Sequence, residues 1–169
     1  MNELIRGLLS FSFWDILADV HGALAMGLLI LFGAALVLYF AMDKFVGAVQ
    51  WLKYTLIALF IDLLAVDAFG LYIYGAYRAE GGPRTLLKSS PDTAWLHQII
   101  FEHKEMLAYA PWLLILVALI IVAALHMRLK EPEYRALKFI VLFAIVAALV
   151  FVLTVAGEAV LVTKVAPLR

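Results

Sequence analysis

The chain has 169 residues, 66% of them hydrophobic and 15% charged, with a formal net charge of zero. Soluble domains run near 45–50% apolar and about 25% charged, so this composition belongs in a lipid bilayer. Zero net charge gives nucleic acid no electrostatic purchase, and the lack of cysteine excludes disulfides, iron–sulfur clusters, thiolate zinc sites and covalently attached haem.

The opening stretch, MNELIRGLLSFSFWD, lacks a basic n-region and a small-residue cleavage site and reads as retained. A bilayer core needs about 20 apolar residues in a helix, and four segments qualify. The first, Gly22 to Met42, has no charge and sits in a helix predicted over 14–43. The second, Tyr54 to Tyr77, is apolar apart from Asp62 and Asp67, in a helix over 52–78. Gly81-Gly82-Pro83 then breaks the chain.

The third helix is predicted over 91–128. Its start is marked by SSPD, Ser89 to Asp92: a cap, a proline at the first helical position and an acid in the first turn. Its first turns, with Trp95, Leu96, Ile99 and Ile100, read as amphipathic and interfacial. Its apolar span runs from Met106 to His126, with a kink expected at Pro111. Glu131-Pro132-Glu133 ends it. The fourth helix, over 134–164, is uncharged from Phe139 to Gly157 and then meets Glu158. Trp14, Trp51, Tyr54, Tyr77 and Trp95 suit interfacial belts.

These elements predict an all-α fold: a single domain over 1–169 forming an antiparallel bundle of four transmembrane helices, both termini on one side. The short loops Asp43–Lys53 and Arg128–Lys138 hold six basic and three acidic residues. The positive-inside rule therefore places both termini on the non-cytoplasmic side of the cell membrane.

Ionisable residues within a span are costly, usually face the bundle interior and mark function. Counted at about 1.5 Å per residue, His21, Asp67, His103 and Glu158 fall at similar depth near the termini, one on each helix. The pattern also reads as a crude repeat, His21 with Asp67 and then His103 with Glu158. The faces expected inside carry Ala18, His21, Ala25 and Leu28; Leu63, Asp67, Gly70 and Tyr74; Ile99, His103, Met106 and Leu107; Thr154, Glu158 and Leu161.

The sharp reading is a b-type haem held between His21 and His103 as axial ligands. Asp67 and Glu158 orient the ligands or move a proton, and Arg78, Arg84 and Lys104 meet the propionates. The corresponding role is electron transfer between a quinone pool and a redox partner protein, not stand-alone catalysis. Other readings stay open: a mutually satisfied polar network in a cofactor-free accessory subunit or homo-oligomer, a metal site built from the same four groups, and a proton or ion path. Asp62 lies about 140° round its helix from Asp67, which gives it a packing or subunit role. It faces a partner in the accessory reading and its own bundle in the haem reading. His97 reads as a surface or interface histidine and His126 as an interfacial side chain.

DVHGALAMGLLILFGAALVL in the first helix, DAFGLYIYGAY ending the second, HKEMLAYA in the third and TVAGEAVLVTKVA in the fourth resemble the small four-helix prokaryotic membrane proteins of the DUF2231 type, which are cytochrome b-like. The resemblance covers most of the chain. It implies the four-helix architecture and haem at His21 and His103. The chain lacks that family's proline-rich entry to the first helix and has a long capped lead-in to the third.

Overall fold

The computed structural model describes residues 13–166; the opening stretch and the side chains of Trp14 and Asp15 lie outside that description. The described residues are helical and contain no strand. The elements are α1 (Phe13–Ala41), α2 (Ala48–Arg78), α3 (Pro83–Lys88), α4 (Pro91–Trp95), a π-helical turn (Leu96–Phe101), α5 (Glu102–Leu125) and α6 (Arg135–Val165), with 3₁₀ turns at His126–Lys130 and Pro132–Tyr134 before α6. Four helical stretches are long and apolar enough to cross a membrane: Ile16–Ala41, Ala48–Arg78, Pro91–Lys130 and Pro132–Val165. That is consistent with a multi-pass membrane protein.

The breaks fall where the sequence places them. Ser90 caps α4, accepting from the Asp92 N–H at 3.3 Å, and Pro91 takes the first helical position. At the end of α2 the chain turns through Gly81, whose φ is 73°. Gly82 comes next, so close to the last α2 carbonyls that a Cβ there would lie 2.7 Å from the Ala76 oxygen. No other residue fits. The short α3 that this turn launches was not expected from sequence, and α2 begins four residues earlier than predicted.

One core cluster draws on all four long helices. Phe32 and Ala35 of α1, Leu52, Leu56 and Leu59 of α2, Ile115 and Ala118 of α5, and Ile145 and Ala148 of α6 have almost no exposed surface. This core fills the half of the molecule nearer the loops after α1 and after α5. Polar contacts close that end. Tyr39 donates to the Lys138 carbonyl at 3.0 Å, Lys138 Nζ meets Asp43 at 2.8 Å, and His126 Nε2 meets Gln50 Oε1 at 2.8 Å. His126 therefore bonds within the protein at this end, with a left-handed φ of 46° where α5 gives way to the 3₁₀ turn.

A smaller cluster covers the other end. Tyr77 and Phe101 stack with ring centroids 4.0 Å apart, over Leu87, Leu96 and Val162. Tyr77 is thus buried, not part of an interfacial belt. His97 is also corrected: it is only 3% exposed, the buried polar residue of the described chain. Its Nδ1 lies 3.0 Å from the Tyr77 hydroxyl, and Arg84 Nε donates to its Nε2 at 3.3 Å. Arginine has no acceptor, so a neutral His97 carries its proton on Nδ1 and donates it to Tyr77.

Candidate functional site: a cavity at His21

Between the main core and the aromatic cap lies a cavity of about 600 Å³, within the roughly 300–1,000 Å³ of small-molecule and cofactor sites. All four long helices wall it: Ala25 and Leu28 from α1, Leu63 and Val66 from α2, Pro111 from α5, and Val152 and Ala156 from α6 are among its apolar lining. Pro111 has no N–H to give the helix, so the Leu107 carbonyl loses its regular partner beside the cavity. Leu71, Met106 and Tyr109 line the cavity and are also exposed, so it opens laterally between α2 and α5.

The polar lining is concentrated at the cap end: His21, Asp67, Tyr74, Glu102, Lys104 and Glu105. His21 projects from α1 toward Gly70 of α2; a Cβ at Gly70 would stand 3.5 Å from the ring's Cε1. The ring's Nδ1 is buried with no partner among the described residues. Such an atom costs about 1–3 kcal/mol unless something occupies it. Lys104 is the positive centre. Its charge acts on His21 and Asp67, and the carboxylates of Glu105, Asp67 and Glu158 act on it in turn. Its Nζ lies 4.9 Å from the centre of the Phe101 ring. Tyr74 donates to Glu105 Oε2 at 3.4 Å.

The structure brings His21, Asp67 and Lys104 together around one space. It brings His103 and Glu158 together as a second pair, Nδ1 to Oε1 at 2.6 Å. It does not bring the two histidines face to face. His103 is outside the cavity lining, with its side chain 52% exposed. The expected inward faces of the third and fourth helices are only partly inward: Ile99, Thr154 and Leu161 are exposed, whereas Met106 is exposed but borders the cavity and Glu158 is largely buried. Arg78 and Arg84 do not reach the cavity either. Arg78 lies 4.4 Å above the Tyr74 ring and Arg84 serves His97.

Among the described residues no three His, Asp or Glu side chains converge as a metal-ligand set, so the four-ligand metal reading has no geometry here. Asp62 packs toward α1, its Oδ2 3.2 Å from where a Cβ on Gly27 would stand. Tyr74 and Glu105 were missed as a pair, although Tyr74 stands seven residues after Asp67, two turns along the same face. No family profile, curated protein or solved structure matches the chain.

Proposed function

We propose that this chain is an antiparallel four-helix bundle crossing the cell membrane four times, both termini on the non-cytoplasmic side, and that it transfers electrons through a b-type haem held in the cavity. The single observation behind this reading is the buried, unpartnered imidazole nitrogen of His21 on the wall of a cofactor-sized, largely apolar cavity. A haem when bound supplies a one-electron carrier whose potential answers to ligand, hydrogen bonding and burial. His21 ligates it from α1. Lys104 neutralises a propionate at the cap end. Asp67 sits where it can take up the charge change. The lateral opening admits a flat amphipathic group from the lipid side. His103 is left out of the ligand set, because its ring points away from this space.

The electrons pass between a quinone pool and a redox partner protein. The placement of Asp62 against α1 supports this reading over the cofactor-free accessory subunit, in which that carboxylate faces a partner.

The test is the reduced-minus-oxidised absorbance spectrum of protein purified in mild detergent from haem-sufficient cells. A b-type α-band is expected. His21→Ala should abolish it, and His103→Ala should leave haem content unchanged. Protein that carries no haem, or haem that survives His21→Ala, overturns the reading.

A further inference from the structure

The outward-turned seam between α5 and α6 carries a second polar site. His103 Nδ1 lies 2.6 Å from Glu158 Oε1. Glu158 keeps only 12% of its side chain exposed, and its Oε2 is buried without a partner among the described residues. With Nδ1–H donated to the carboxylate, the lone pair left on the ring is on Nε2. Nε2 has no partner among the described residues, and the ring is half-exposed. The exposed residues about one turn away on the same helices are apolar: Ile99 and Met106 (78% exposed) before and after His103, and Leu161 after Glu158. A face this apolar meets lipid, where an imidazole–carboxylate pair is expensive and marks function.

The pair asks for a particular ligand chemistry. It offers a hydrogen-bond acceptor, Nε2, to the outer side, with the tautomer fixed by the carboxylate that accepts from Nδ1–H. The ligand must therefore donate a hydrogen bond and arrive through lipid. A phospholipid phosphate fails, because it only accepts and is repelled by Glu158. An oxidised quinone fails as well, since its carbonyls only accept. A quinol, a lipid-soluble dihydroxy aromatic, meets both demands. Ile99 and Met106 give its ring and tail apolar walls, and methionine adapts well to flat groups.

We propose that the His103–Glu158 seam docks the headgroup of a quinol, with His103 Nε2 accepting from a ring hydroxyl and Glu158 holding the imidazole in the accepting tautomer. The electron-transfer reading sets the ligand class; the seam supplies the geometry.

The experiment is equilibrium titration of the full chain in lipid nanodiscs with a short-tailed benzoquinol and, separately, its quinone. Quinol should bind about tenfold tighter than quinone, the ratio one net hydrogen bond confers. His103→Leu should remove that preference, and Glu158→Gln should weaken it. Equal affinity for the two forms, or unchanged quinol binding in His103→Leu, overturns the proposal. Should His103→Leu fail to fold, the ¹⁵N shift of His103 Nε2 in the wild-type protein decides: a shift on adding quinol supports the site and its absence overturns it. A dimer that His103→Leu dissociates, with no quinol effect, makes the seam a contact between copies and also overturns it. The absorbance spectrum of the same sample reports haem independently. Quinol selectivity lost with the haem band intact overturns this inference alone; a missing haem band with quinol selectivity intact overturns the proposed function alone.

Discussion

The two halves of this molecule use the same four helices differently. In the half near the loops after α1 and α5, Phe32, Leu56, Ile115 and Ile145 interlock with no measurable exposure. The end itself is tied by Tyr39, Lys138 and Asp43. In the other half the helices leave about 600 Å³ unfilled, and two buried polar atoms, His21 Nδ1 and Glu158 Oε2, lack partners among the described residues. Lipid is as apolar as a leucine side chain, so helices in a membrane associate through close packing and polar contacts and gain little from burial. The packed half supplies that association. The open half is then free to keep features that cost stability, the unfilled cavity and the two unpartnered polar atoms.

The largest expected effect tests that division. Phe32→Ala removes a ring from the packed half and should cost about 3–5 kcal/mol, as truncation of buried aromatics does. Val152→Ala removes atoms from a cavity wall that already lacks neighbours on one side, and should cost less than about 1 kcal/mol by the same cavity argument. Equilibrium unfolding in mixed micelles measures both. Comparable losses would mean that the open half is packed as tightly as the other.

The aromatic cap is intermediate between the halves, and His97 tests it. Replacing it with leucine leaves the Tyr77 hydroxyl without its donor and the Arg84 guanidinium without its acceptor. The expected cost is about 1–3 kcal/mol, the range for orphaning a buried polar partner. On the proposed haem reading the spectrum should persist in this variant, because His97 does not line the cavity. A variant as stable as wild type would show that the cap contributes nothing to holding the open half together.

The same contrast explains which parts of the structure are readable from the amino acids. Four apolar runs long enough to cross a bilayer can hardly be anything but helices, and the SSPD cap and the Gly81-Gly82-Pro83 break announce themselves by their own backbone chemistry. Faces are harder. On a helix that is apolar all round, the side toward protein and the side toward lipid look alike, so periodicity carries little information. The faces of His21 and Asp67 came out inward because α1 and α2 are regular and each polar group sits among small residues. The third helix departs from a regular repeat at its start. The π-turn at Leu96–Phe101 adds an extra residue to the helical repeat. His97, inside this turn, is buried, and His103, two residues after it, is half-exposed; the face of α5 itself, apolar on nearly every side beyond its first turns, had no polar stripe to mark it. No residue type in LHQIIF marks a π-turn in advance.

The smallest effect concerns the tied end. Lys138 Nζ reaches both carboxylate oxygens of Asp43, at 3.0 and 2.8 Å, but the Asp43 side chain is 64% exposed. Water and salt screen such a pair, which holds its value to about 0.2–1 kcal/mol. Lys138→Met keeps the apolar stem and the backbone carbonyl that receives the Tyr39 hydroxyl, so it isolates the charge contact from the packing beneath it. The expected loss is within that range at low salt and shrinks toward zero as salt is raised. A loss that is larger and indifferent to salt would mean that Lys138 acts through buried packing, and the stability of the closed half would then rest on its polar end as well as on its core.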